Sequence, residues 1–137
     1  MVEYEYRHLV SFEETNLVGN VYFANHVRWQ GRCREMFIKD HAPGVLAELN
    51  DTLRMVTVRC SVEYLDELRA FDEVVVHMKL ESVARNRIAM EFQYFRVRDD
   101  ERELVARGSH EVATMRASAK GLVPTPIPAQ LARVLGG

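Results

Sequence analysis

One antiparallel β-sheet of five strands wrapped around a single long helix, an α+β arrangement, is predicted by three features of this 137-residue chain. Apolar and polar residues alternate with period two in four stretches and less regularly in a fifth. The turns between the later stretches are short. One stretch near the N-terminus instead carries a helical period and is apolar on some two-thirds of its circumference. Such a helix needs an apolar partner on most sides, and a curved sheet provides one.

The elements follow in order. Tyr4, Tyr6, His8, Val10 and Phe12 alternate with Glu3, Glu5, Arg7 and Ser11, which predicts a strand with one buried face. The loop Glu13 to Gly19 follows. Asn20 or a neighbour is the expected cap of a helix from about Val21 to Asp40, and Pro43-Gly44 ends it before a short apolar turn, Val45 to Leu49. Val56, Val58, Cys60, Val62 and Tyr64 form the apolar side of the next strand; Val74, Val76, Met78 and Leu80 that of the third; Ile88, Met90, Phe92 and Tyr94 that of the fourth. Arg85-Asn86 and Asp99-Asp100-Glu101 are turns, so the second half is a meander ending in a strand from about Glu103 to Arg116. Pro124, Pro126 and Pro128 stiffen the tail, residues 118–137, before a short helix near Ala129 to Leu135.

With 47% hydrophobic residues the chain can bury one core but is too short for two ordinary domains, so residues 1–137 read as one domain. A five-stranded sheet leaves open edges, and pairing between two copies would remove one; a homodimer or a dimer of dimers is expected. The net charge of −2 comes without a Lys/Arg cluster, which argues against nucleic acid and against an anionic membrane surface. No apolar run approaches the ~20 residues of a membrane span, and Met-Val-Glu-Tyr-Glu-Tyr-Arg is too polar for a signal peptide, so a cytoplasmic location is expected. Cys33 and Cys60 both fall on apolar faces and read as two buried thiols. No metal-ligand spacing occurs, and no cofactor is expected.

Two residues carry most of the functional signal. On the predicted helix Arg28, Arg32, Glu35 and Lys39 stack on one polar stripe, while Arg34 falls among Phe23, Val27 and Ile38. A guanidinium removed from water costs several kcal/mol unless paired, so Arg34 either meets an anionic or carbonyl partner, reaches solvent, or pairs with an acid such as Glu63. Asn16 lies in the preceding loop, where it reads as a turn residue or as part of a site. Arg34 lies eleven residues beyond Phe23, about 16 Å along a helix, so a site using both helix ends needs either a loop folded back along the helix or a second subunit.

The segment Phe12-Glu-Glu-Thr-Asn-Leu-Val-Gly-Asn-Val-Tyr-Phe-Ala-Asn-His-Val-Arg-Trp29, together with Val62-Glu-Tyr-Leu65 and the order of elements, resembles the hotdog-fold acyl thioesterases of the 4-hydroxybenzoyl-CoA thioesterase type, from about residue 4 to residue 116. Gly19, Val21, Tyr22, Phe23, Asn25 and Trp29 match that family's pattern, whereas Asn16 stands where the family has its catalytic Asp. Asn at this position with Arg eighteen residues later resembles the thioesterases of enediyne biosynthesis. That resemblance implies hydrolysis of a β-ketoacyl polyene from the acyl carrier domain of an iterative polyketide synthase, followed by decarboxylation to a methyl ketone. It assigns the Phe23 backbone N–H as oxyanion donor.

The catalytic set is then Asn16, Arg34 and the Phe23 N–H, with Gly19, Tyr22, His26, Val27 and Glu63 around the substrate. Asn16 would hold the attacking water, since an amide is neither base nor nucleophile. His26 reads as a base or as a packed polar aromatic, and Glu63 as the best spare carboxylate. Val27, Met55, Met78 and Met90 are candidates for an apolar acyl tunnel. The other readings are a general acyl-CoA thioesterase and a non-catalytic acyl-binding module.

Overall fold

The computed structural model of the chain describes residues 2–136. β1 (Glu3–Leu9) leads through a 3-10 turn, Phe12–Glu14, and a loop to α1 (Ala24–His41). After α2 (Gly44–Leu49) come β2 (Leu53–Tyr64), β3 (Glu73–Ala84), β4 (Arg87–Arg98), β5 (Glu101–Ser118), β6 (Gly121–Pro124) and α3 (Ala129–Gly136). Every pairing is antiparallel and the order is β1-β3-β4-β5-β2, with β6 beside the end of β5. β1 therefore finds its partner in β3, and β2 forms the opposite edge. β6 adds a short sixth strand to the five expected; Pro124 is its last residue, where a missing N–H costs the ladder little.

The turns behave as their residues demand. Asp99 and Asp100 take φ of 50° and 65°, the left-handed pair that joins tightly twisted strands, and Arg85 takes φ 58°. The alternation of β3 and β4 is the one expected, because Val74, Val76, Met78, Ile88, Met90, Phe92 and Tyr94 are all buried. They meet Trp29, Cys33, Phe37 and Ile38 of α1 in one core. Each such side chain contributes on the order of 1.5–3 kcal/mol by leaving water.

α1 starts later than expected. Thr15 bridges to Val21, and Gly19 turns the chain at φ 89°, so the backbone stays out of helical geometry until Phe23, which occupies the cap position without a side-chain cap. Asn20 is not the cap; it bridges to Arg69, and its amide donates to Glu67 at 3.0 Å.

β2 departs further from the expected pattern. A bulge between Thr57 and Arg59 shifts the side-chain parity by one residue. Leu53, Met55, Val62 and Tyr64 still approach the helix, but Val56 and Val58 are more than a third exposed. Cys60, expected to be buried, is exposed, and only Cys33 is a buried thiol. Phe12, expected on the buried face of β1, is 75% exposed because the strand has already given way to the 3-10 turn.

Candidate active site

Arg34 projects from the middle of α1 toward β5 and β2. Its Nη1 lies 3.4 Å from Nε2 of His110, whose Nε2 also faces the Thr57 hydroxyl at 3.0 Å. Nδ1 of His110 is 3.0 Å from the Gln30 side-chain oxygen, and the Gln30 amide donates to the Ser61 carbonyl at 3.1 Å. One tautomer satisfies this chain: Nδ1 donates to Gln30, and Nε2 accepts from Arg34 and Thr57. Burial, and then the charge of Arg34, push His110 down to about 4, so it is neutral at pH 7. Gly108 makes room for the chain, since a Cβ there would lie 2.2 Å from the Ser61 carbonyl oxygen and 2.7 Å from the Gln30 amide nitrogen.

Arg34 therefore rests on a neutral acceptor. Among the described residues no carboxylate lies within salt-bridge distance of it, and Glu63, one expected partner, instead pairs with Arg107 at 2.6 Å on the exposed face of the sheet. Desolvation lowers its affinity for the proton, offset in part by Glu35, yet a guanidinium stays charged. The result is a half-buried cation with unused donors.

Two spaces meet at this cation. An open cleft of about 500 Å³ runs between α1, α2 and β2 and includes Arg28, Arg34, Leu46, Leu49 and Met55. Behind it lies a narrow apolar pocket of about 20 Å³, against Arg34, Met55, Met78, Met90, Leu131 and Leu135. Three of the four expected tunnel residues line this cavity. Val27 does not, because it sits more than a turn nearer the helix start.

The other end of α1 is built differently. The Phe23 N–H finds no acceptor among the described residues, while the Phe23 carbonyl accepts from the Tyr64 hydroxyl at 2.7 Å. Asn16 is exposed in its loop: its side-chain oxygen accepts the Val18 N–H at 3.1 Å, and its backbone bonds to Asn20 and Gly19. Around it Leu17, Val18, Tyr22 and Phe23 are 105%, 75%, 48% and 61% exposed, and Tyr64 and Leu65 nearly half. His26 is buried among the rings of Trp29, Tyr64 and Tyr94, and neither ring nitrogen has a partner. Burial pushes it down to about 4, which fits a packed neutral aromatic.

A match to the thioesterase-like superfamily spans residues 10–135. The chain belongs to that family. Over 98% of its length it is 51% identical to dynemicin thioesterase, covering 96% of that chain with a TM-score of 0.94; crystal structures of that protein describe induced-fit and allosteric effects of polyene binding. The 1,4-dihydroxy-2-naphthoyl-CoA thioesterase of Synechocystis (13% identity, 98% and 96% of the two chains, TM-score 0.84) and the 4-hydroxybenzoyl-CoA thioesterase of Pseudomonas sp. strain CBS-3 (16%, 96% and 98%, 0.81) share the fold. No curated protein sequence matches significantly. The protein is a thioester hydrolase with the hotdog fold.

Within one chain of this thioesterase the expected site residues divide into two groups. Asn16, Gly19, Tyr22, Phe23 and His26 gather at the start of α1; Arg34 lies near its middle and shares no cavity with Asn16. Glu63 joins neither group. Among the described residues no cluster of three His, Cys, Asp or Glu side chains could hold a metal ion, and no helix is long and apolar enough to cross a membrane.

Sequence reading missed the residues that hold both groups in place. Thr57, His110 and Gln30 orient Arg34. Glu14 organises the loop: its carboxylate receives the Ser11 N–H at 2.9 Å, His8 Nε2 at 2.8 Å and Trp29 Nε1 at 2.8 Å, and its carbonyl receives the Tyr22 N–H and the Asn25 amide. Burial alone would raise Glu14, but these donors outweigh it and hold the carboxyl below its usual range. The Ser11-Phe-Glu-Glu14 spacing, a capping-box pattern, was the available signal.

Proposed function

We propose that this thioesterase releases a β-ketoacyl polyene from the acyl carrier domain of an iterative polyketide synthase of enediyne biosynthesis, and that decarboxylation to a methyl ketone follows. The observation that carries this reading is Arg34: a desolvated cation without a carboxylate partner, placed where an open cleft meets an apolar cavity. Such a group suits a substrate whose oxygens become negative beside a long apolar chain. The 51% identity to a thioesterase that binds a polyene supports the same substrate class.

The chemistry needs no carboxylate. A thioester is already activated, so water held by the second lone pair of the Asn16 oxygen attacks the carbonyl carbon, the C–S bond breaks, and the departing thiolate takes up the proton the water loses. The developing oxyanion is held by the free Phe23 N–H at the positive end of α1. Arg34 takes the β-keto oxygen. When the C–C bond to the new carboxylate breaks and CO₂ leaves, the electron pair moves onto that oxygen as an enolate, which the guanidinium stabilises before carbon is protonated.

About 16 Å of helix separates Phe23 from Arg34, so the complete site is shared, with Asn16 and Phe23 from one copy and Arg34 from another. The exposed apolar side chains around Asn16 and the free edge of β2 are surfaces a second copy would cover, as a dimer or a dimer of dimers. Thiol release from a β-ketoacyl carrier protein, compared with a simple acyl-CoA, tests the substrate. The carrier-bound substrate is expected to turn over faster, and Arg34→Ala to abolish that preference. Equal rates that survive Arg34→Ala would support a general acyl-CoA thioesterase instead, and no release from either would leave an acyl-binding module.

A further inference from the structure

The cavity behind Arg34 holds about 20 Å³, room for roughly one water molecule. No acyl chain of any length fits there without a wall moving. Phe37, Ile38, Met78, Ile88 and Met90 belong to the packed interior of α1, β3 and β4. The wall supplied by Leu131 and Leu135 is different: both come from α3, eight residues long, joined through the Pro-rich segment to β6. Gln130 accepts the Gly44 N–H at 2.7 Å and thereby ties α3 to the start of α2. Otherwise α3 is held by apolar packing, with Leu131 2% exposed and Val134 and Leu135 half-buried. Little hydrogen bonding would be lost on shifting it, whereas shifting a strand of the sheet would break a ladder.

The lining also has a direction. Arg34, Ile38 and Met55 face both the open cleft and the narrow apolar pocket, whereas Leu131 and Leu135 face the narrow pocket alone. A chain entering past Arg34 therefore advances toward α3.

We propose that α3 is the end wall of the acyl chamber and that Leu131 and Leu135 set the length of chain the enzyme accepts. This rests on the reading that the acyl chain enters past Arg34. Short chains are accommodated by repacking of the flexible methionines, and longer ones require α3 to move away from α1. Each methylene that finds room there raises kcat/KM by about threefold to fourfold.

The test measures kcat/KM for the full chain on a saturated acyl-CoA series from hexanoyl to hexadecanoyl, for the wild type, Leu131→Ala, Leu135→Ala and Leu135→Trp. The alanine variants enlarge the chamber and are expected to raise the hexadecanoyl-to-octanoyl ratio at least tenfold; the tryptophan variant is expected to lower it by a similar factor. Leu135 is only half-buried, so its variants remain informative if Leu131→Ala does not fold. Ratios unchanged within about twofold while hydrolysis persists overturn the role of α3. Where the wild type hydrolyses no CoA probe, the same chain lengths are offered as β-ketoacyl carrier-protein thioesters: ratios unchanged there overturn the role of α3, and absence of hydrolysis of those contradicts instead the entry of an acyl chain past Arg34.

Discussion

The middle of α1 and its first turn are the two halves of the proposed site, and they are finished to different degrees. Around Arg34 every partner comes from the same chain: His110, Gln30 and Thr57 fix the guanidinium, and the pocket behind it is narrow and apolar. Around Asn16 the polar groups are braced by Glu14, but the apolar side chains face outward and the Phe23 N–H is unused. On the proposed function, one chain completes the part that handles charge and the acyl chain, and leaves to a neighbour the surface over the attacking water.

The largest expected effect comes from removing the cation. Arg34→Ala should lower turnover on a β-ketoacyl carrier substrate by about 10²- to 10³-fold, a loss of about 3–4 kcal/mol of transition-state stabilisation, with a smaller loss on simple acyl-CoA. Steady-state kinetics on the two substrates check this. If both fall equally, the cation serves the thioester carbonyl rather than the β-keto group.

The support of Arg34 can be attacked without touching it. Gly108→Ala places a Cβ 2.2 Å from the Ser61 carbonyl oxygen, which must push β2 and Gln30 apart. Unfolding in urea should show a loss of about 2–3 kcal/mol, with turnover falling as His110 shifts.

Acid should affect both halves through their histidines. His26 and His110 are each held at about 4 against an ordinary 6.5. A depressed pKa means that the unfolded chain binds the proton first, so stability is intact above about pH 6.5 and declines as pH falls toward 4. Each contributes roughly 2 kcal/mol over that window after allowance for solvent screening. Denaturant midpoints measured across it check the sign, and replacing either histidine by glutamine should flatten the slope.

The smallest effect distinguishes the loop from the core. Glu14→Gln keeps one acceptor oxygen where several donors converge and should cost about 1 kcal/mol, or about 4 °C in Tm. The loss should fade as pH drops and Glu14 itself takes up a proton. Turnover should fall more than KM rises, because the loop carrying Asn16 loosens while the acyl cavity does not.

Much of this could be read from the chain. The alternation of β3 and β4 and the apolar breadth of α1 specify a sheet around a helix because burial on one face imposes those periods directly. Arg34 is conspicuous for breaking such a period, and Met78 and Met90 follow from their faces; Met55 has the parity opposite to the expected face of β2 and reaches the pocket because it precedes the bulge. The first half of β2 departs from its expected face because a one-residue bulge reverses parity and leaves no mark in composition, which turns Val56 outward; Cys60, beyond the bulge, keeps the parity of Val62 and Tyr64 and is nonetheless exposed. The partners of Arg34 and Glu14 stay hidden for another reason: His110 is 76 residues from Arg34 and Trp29 is 15 from Glu14, and only the folded chain brings them together.

The central claim is that Asn16 of one copy works with Arg34 of another. Two inactive variants, Asn16→Ala and Arg34→Ala, can be mixed under conditions that let subunits exchange, and thiol release from a β-ketoacyl carrier protein measured. Random pairing into dimers gives mixed species with one intact site each, so activity should return to about a quarter of the wild-type level. A mixture no more active than its parents, despite demonstrated exchange, would contradict the shared site.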